Sequence, residues 1–314
     1  MNSRVHPNYK TNYRVTNWAQ YDRALVRRGD VTLWISEDAI ATWQPMPNGR
    51  RGAQQKFSDH AIETALTLRQ VFKLPLRQAE GFLKSILSLM SVDLKAPDHT
   101  TLSRRGQRLD IKLDVSMPNA PIHLVIDSSG LSIIGEGEWA AAKHGERGKR
   151  GWKKLHLGVD GNGLIVAQVL TDSAADDAKT GLGLIEDTAG DIASVTADAA
   201  YDTIAIYESA HARGAKVIVP PIRTAKVARR GSRSASRDRT VVEVTRIGRR
   251  QWKKESGYHR QGRVENTFFR YKGILGDRLR SRHTNAQQTE IVIACNILNR
   301  MVDIGMPVSR AVEI

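Results

Sequence analysis

Three acidic residues in this chain stand where a carboxylate can do chemistry. Asp127 closes the apolar run Leu124-Val125-Ile126 and precedes small polar residues, as at the end of a buried β-strand. Asp198 closes a second such run, Ser194-Val195-Thr196-Ala197, before a turn through Ala199-Ala200-Tyr201-Asp202. Glu265 lies in residues 263–272, where Val264, Phe268, Tyr271 and Leu275 recur at helical spacing and leave Glu265, Phe269 and Lys272 on the adjacent stripe. Taken singly, an aspartate after a strand is a turn cap as readily as a metal ligand. Taken together, three carboxylates on separate elements, among many cations, match what two-metal phosphoryl transfer needs. Hard oxygen ligands hold two Mg²⁺ or Mn²⁺ ions roughly 3.5–4 Å apart, one activating the attacking oxygen and one stabilising the leaving oxygen. Asp176 and Asp177, at the start of a predicted helix, are reserve ligands whose first role is to complement the helix dipole.

The segments VIDSSGL around Asp127, TADAAYD around Asp198 and Tyr258…Glu265-x6-Lys272 resemble the DDE signature of bacterial insertion-sequence transposases, specifically the IS5 family and its IS903-like group. The resemblance spans nearly the whole chain, including Asn17-Trp18…Tyr21…Ala24-Leu25…Arg28-Gly29 and Leu74-Pro75-Leu76-Arg77…Gly81-Phe82-Leu83. One position departs from the family pattern: Gln261 stands where an Arg is usual, four residues before the Glu, with Arg260 and Arg263 flanking it. The resemblance implies an enzyme that binds the terminal inverted repeats of an insertion sequence, hydrolyses its ends and joins the freed 3′-hydroxyl to target DNA. Asp127, Asp198 and Glu265 would then be the catalytic residues and the ligands of two Mg²⁺ ions per site, with Mn²⁺ as the alternative. Lys272 matches the motif lysine and is expected to position DNA, with Tyr258, Arg260 and Arg263 contributing likewise. Pairing two ends needs two active sites, so a homodimer on DNA is expected.

Composition agrees with a nucleic-acid partner. Forty-eight Lys and Arg against 33 Asp and Glu give a formal charge of +15, which favours a polyanion. An anionic membrane would need a basic amphipathic helix with a clean apolar face, and none is legible. The single Cys295 excludes an intrachain disulfide or thiolate zinc site and fits a reducing compartment. With no apolar signal core, no membrane-spanning run and no small-molecule cofactor motif, a cytoplasmic, nucleoid-associated protein is expected.

The elements that must position these residues fall in order. Residues 1–57 read as a polar basic arm, a helix capped by Asn17 and ended by a left-handed Gly29, and a strand over residues 31–35. Residues 58–117 carry three predicted helices: one with Ile62, Ala65, Leu66 and Phe72, one with Leu76, Ala79, Leu83, Ile86 and Met90, and a third bearing Arg104, Arg105 and Arg108. This is either a helix-turn-helix-like DNA-binding region or a bundle with a charged face. Residues 118–222 and 256–314 read as an α/β catalytic domain with an RNase H-like mixed sheet and helices on both faces. Within it, residues 130–134 are predicted as a second strand after Asp127. A basic loop with six cations over residues 143–154, including Lys149, Arg150, Lys153 and Lys154 with Trp152 for stacking, is a candidate DNA contact. Residues 223–255 read as a basic insertion, low in complexity over residues 229–237. Twelve Lys and Arg oppose only Asp238 and Glu243 in residues 223–254, so ten of the fifteen net charges lie there.

Two other functions fit the same residues. An RNase H-like nuclease would use the three carboxylates without joining strands. A transposase-derived regulator would bind DNA with a silent centre, and its expected sign, loss of one acidic residue, is missing here.

Overall fold

Capping side chains set the helix starts of the N-terminal part in the computed structural model, which describes residues 13–46, 49, 54–116, 120–135, 151–227 and 235–312. Strand β1 (Tyr13–Val15) leads into helix α1 (Trp18–Arg27). Asn17 holds the N-cap position but does not cap. Its Nδ2 donates to the Met306 carbonyl and its Oδ1 accepts from the Val308 N–H, which ties this segment to the far end of the chain. Gly29 is not left-handed either; the chain leaves α1 through turn bonds from the Gly29 and Asp30 N–H groups. Residues 31–35 are not a strand. Asp30 accepts from the Thr32 N–H and nucleates the short helix α2 (Val31–Trp34), overriding the β-branched preference of its residues. Ser36, Ser58 and Asp98 cap α3 (Glu37–Ala41), α4 (Asp59–Val71) and α6 (His99–Gly106), while α5 (Leu76–Leu89) starts after Pro75. Of the expected apolar faces of α4 and α5, Ile62, Ala65, Leu66, Ala79, Leu83 and Ile86 are buried, Phe72 and Leu76 are half-buried against the core, and Met90 at the end of α5 is exposed.

The Asp127 strand does not stop at its aspartate. β2 (Ile122–Ile133) runs six residues beyond it, so the separate strand expected over residues 130–134 is the continuation of the same one. The cause is pairing: β3 (Trp152–Val159) is antiparallel to it from Val125↔Val159 to Ser132↔Trp152 and holds Ser128, Ser129 and Gly130 in the ladder. Trp152, Lys153 and Lys154 therefore belong to a strand, not to the expected loop. Asp160 closes the next hairpin by accepting from the Asn162 and Leu164 N–H groups, and β4 (Ile165–Asp172) follows. Helix α7 (Asp177–Asp187), capped by Asp176, leads to β5 (Ile192–Thr196), then α8 (Ile204–Ala212) and β6 (Lys216–Ile218). The strand order is β4-β3-β2-β5-β6, antiparallel up to β2 and parallel after it.

Within the expected basic insertion, residues 235–247 and 249–255 are helical, so the end of the expected low-complexity stretch, residues 235–237, opens a helix. In α9 (Ala235–Ile247), Arg237 makes a two-pronged pair with the buried carboxylate of Asp202, 2.8 Å at each contact, and Val241 is buried. Gly248, at φ 83°, turns the chain into α10 (Arg249–Glu255), which buries Trp252. The remainder of the expected low-complexity stretch, residues 229–234, lies outside the described residues. A 3-10 turn (Tyr258–Gln261) then opens α11 (Gly262–Ile274), followed by β7 (Arg278–Leu279), α12 (Thr284–Ile304) and β8 (Ser309–Ala311), which pairs with β1. One apolar cluster joins α4, α5, α6, α11 and α12 to one face of the sheet, and α7 and α8 cover the other. Strand alternation sends Leu124 and Ile126 to the α7 side and Val125, Leu131 and Ile133 to the α11 side. A mixed sheet covered on both faces in this order fits the expected RNase H-like core.

Candidate active site

The site is built around a gap in the sheet. On one edge of β2, β5 pairs with residues up to Val125 and β7 with Ser132 and Ile133, so among the described residues the backbone between has no strand neighbour there. Asp127 lies in that interval. Carrying the Val125↔Thr196 register two residues further sets Asp198 beside it. Asp198 stands at the N-cap of a 3-10 turn, its Oδ1 accepting from the Ala200 N–H at 2.8 Å. From the open edge, Gln261 reaches in: its Nε2 donates to the Ile126 carbonyl at 3.4 Å and its side chain is buried. Glu265 follows one helical turn later on the exposed side of α11, whose other side buries Val264, Phe268 and Tyr271 as the sequence stripe predicts.

Asp198 and Glu265 both act electrostatically on Asp127. Asp127 accepts from the Ser128 N–H at 2.8 Å, and burial pushes its carboxyl up to about 6, with Asp198, Glu265 and Asp177 adding to the lift. Burial also pushes the Tyr258 phenol up to about 12, reinforced by Asp198, Glu265 and Asp127. Tyr201 is raised first by burial, then by Asp127, Asp177 and Asp198. Among the described residues, none of the three carboxylates has an ion-pair partner, and no three His, Cys, Asp or Glu side chains close onto a point that could hold a metal ion. The donor set itself is all oxygen, negatively charged and without a cation, which suits a hard divalent ion over zinc. Asp177 is engaged elsewhere, by Lys154 at 3.1 Å and with His156 Nδ1 3.6 Å away.

The candidate DNA contacts divide by what they already hold. Lys272 is exposed on the same side of α11 as Glu265, whereas Arg263, two residues before the glutamate, is exposed on the opposite flank of the helix. Tyr258 lies under Lys253, whose Nζ is 4.3 Å from the ring centre. Arg260 folds over Gly257, a left-handed glycine at φ 85° whose missing Cβ leaves room for the guanidinium. Trp152 is exposed and packs against Gly130. Lys153 is bound to Asp172 at 2.5 Å, and Lys154 to Asp177 and the Ala175 carbonyl, so both brace β3. Arg104 is exposed, whereas Arg105 pairs with Asp59 and donates to the Phe57 carbonyl, pinning α6 to α4. Lys149 and Arg150 lie outside the described residues. Sequence reasoning missed the burial of Gln261, because an amide between two arginines reads as surface.

Carboxylates near the open edge of a mixed sheet, with exposed cations on the neighbouring helix, are the groups that phosphoryl transfer on a polyanionic substrate requires. Two family models described as Transposase DDE domain match the chain, over residues 26–136 and over residues 118–300, the second covering more than half of it. The chain belongs to the DDE transposase family: it is a DNA transposase, an enzyme that cuts DNA and transfers the strand, and its family depends on divalent metal ions. Among solved structures it is similar to a piggyBac transposase seen by cryo-EM in a synaptic complex with hairpin DNA. The identity is 12%, the match covers 88% of this chain and 75% of that one, and the TM-score is 0.40, a likeness too loose to refine the assignment. No helix among the described residues is long and apolar enough to cross a membrane.

Proposed function

We propose that this transposase belongs to the IS5 family and its IS903-like group, and that Asp127, Asp198 and Glu265 are its catalytic carboxylates. The observation that supports this reading is that Asp198 and Glu265 both act on the Asp127 carboxyl while, among the described residues, none of the three has an ion-pair partner. They would hold two Mg²⁺ ions, or Mn²⁺. Bound there, such ions would activate the attacking water or 3′-hydroxyl and stabilise the leaving oxygen. The chain's own groups do the rest. Asp127 supplies a buried anionic oxygen held by the Ser128 N–H, and Asp198 one held by the Ala200 N–H. Gln261 fastens the start of α11 to the strand carrying Asp127, which sets the place of Glu265. Lys272 stands seven residues beyond Glu265, about 10 Å along the helix, where it steadies a neighbouring phosphate together with Arg263, Tyr258 and Arg260. Trp152 and Arg104 extend that contact, and Lys149, Arg150, Lys153, Lys154 and Arg105 are further candidates, the last three after release from their internal partners.

In this reading residues 58–117 form a helix-turn-helix-like region that binds the terminal inverted repeats. Residues 118–222 with 256–314 form the catalytic domain, 223–255 a basic insertion and 1–57 the leading segment. Two copies act together on paired ends. The test is an in vitro reaction with Mg²⁺ or Mn²⁺, DNA carrying the element's ends and a supercoiled target. Wild type yields ends joined to target, and Asp127→Ala, Asp198→Ala and Glu265→Ala each bind DNA without cutting it. Cutting without joining by wild type would instead establish the nuclease, and binding without cutting the silent regulator.

A further inference from the structure

Away from the carboxylates, the N-terminal helices and the closing helix enclose a cleft of about 350 Å³. Its walls are α4 and α6 on one side and residues 280–283 with the first turns of α12 on the other. Arg69 of α4 lines it. That side chain is only 7% exposed, its Nε has no hydrogen-bond partner, and among the described residues it forms no ion pair. The neighbouring anion is Glu290, but its two oxygens are taken by the Arg280 and Ser281 N–H groups, each at 2.8 Å. Arg280 and Arg282 also contribute to the lining: Arg280 donates from its guanidinium to the Leu74 carbonyl at 3.2 Å, and exposed Arg282 lays its guanidinium against Gly135 beside the cleft, so the surroundings are rich in cations around one carboxylate. The N-terminus of α12, 21 residues long, opens at the same place and adds its partial positive charge.

A buried guanidinium N–H without an acceptor, as at the Arg69 Nε, is destabilising unless a ligand supplies one. Donors in a fork beside a helix N-terminus suit a tetrahedral oxyanion. Position narrows the source. β7 pairs at Ser132 and Ile133, so the cleft begins just past the end of the strand carrying Asp127, about 20 Å from it at about 3.3 Å per residue. That is about six base-pair steps of duplex. We propose that this cleft takes a backbone phosphate of the bound DNA, with Arg69 and Arg282 as its donors. The proposal rests on the transposase reading above and adds a contact remote from the reacting phosphate.

The test measures binding of the full chain, in EDTA, to a duplex of arbitrary sequence by fluorescence anisotropy across a KCl series. Arg69→Met and Arg282→Gln each weaken binding about tenfold at low salt and reduce the log–log salt slope by about one. Without DNA, Arg69→Met melts at or above the wild-type temperature, because an unpaired buried charge has been removed. If Arg69 is merely structural, Arg69→Met melts lower and the salt slope stays unchanged, which overturns the proposal. Should Arg69→Met fail to fold, exposed Arg282→Gln decides it, and wild-type affinity and slope in that variant refute the phosphate contact. Inorganic phosphate serves as the competing probe. Stabilisation of wild type but not of Arg282→Gln by millimolar phosphate, with DNA binding unaltered, would make this a small-anion site and overturn the proposal. Wild type that binds no duplex at all would fail the DNA-binding reading itself, a result separate from any loss confined to the two variants.

Discussion

Without divalent ions at pH 7.5, Asp127→Asn makes the protein more stable while ending catalysis. The ordinary aspartate value is 3.8, and burial with three anionic neighbours lifts Asp127 to about 6. At about 1.4 kcal/mol per unit the lift corresponds to about 3 kcal/mol, and partial solvent access to the carboxyl reduces this to about 1–2 kcal/mol. The sign follows from proton binding. The folded state holds the Asp127 proton more tightly than the unfolded state, so this contribution favours folding at low pH. It is lost as pH rises from about 4 to about 6, and the full penalty of the buried anion stands above that. Asparagine carries no charge and keeps an oxygen for the Ser128 N–H. Urea melts of both proteins in EDTA at pH 4.5 and 7.5 check this: the variant's advantage is larger at 7.5. Millimolar Mn²⁺ then narrows the gap by stabilising wild type through mass action. A variant less stable than wild type at pH 7.5 in EDTA would refute the argument that the carboxylates crowd one another.

Other perturbations probe the supports of the site. Arg237→Ala leaves the buried Asp202 carboxylate, among the described residues, with the Ile222 N–H alone, and chemical denaturation should show a loss of about 3 kcal/mol. Gly257→Ala places a Cβ against the Arg260 guanidinium at a left-handed φ; a thermal melt should record about 1–3 kcal/mol of destabilisation, accompanied by weaker DNA binding. Gln261→Ala frees the Ile126 carbonyl and loosens the base of α11. End cleavage should then need more Mn²⁺ for half-maximal rate, and an unchanged Mn²⁺ dependence would remove Gln261 from the site's scaffold.

The elements that carry the three carboxylates were legible because each is tied to local pattern. Asp127 and Asp198 follow apolar runs that do form parallel neighbours, and Glu265 sits one step off a stripe that does pack inward. What escaped depends on partners distant in sequence. Ser128 to Gly130 have little strand preference of their own and extend β2 only because β3 pairs with them. Residues 31–35 look like a strand by composition, and one Asp30 side chain reverses the outcome. The helices of residues 235–255 hide in basic sequence, since their anchor is Asp202, on the far side of β6. Lys153 and Lys154 read as free DNA contacts because their partners, Asp172 and Asp177, come into reach only when β3, β4 and α7 assemble.

The central claim is that Asp127, Asp198 and Glu265 form one metal-binding centre. Titrating Mn²⁺ into the protein–DNA complex and following it by electron paramagnetic resonance tests this most directly. The account predicts two spin-coupled Mn²⁺ ions per protomer in wild type, and loss of the coupled signal in each of Asp127→Asn, Asp198→Asn and Glu265→Gln while DNA stays bound. A coupled pair that survives in any one of these variants would contradict it.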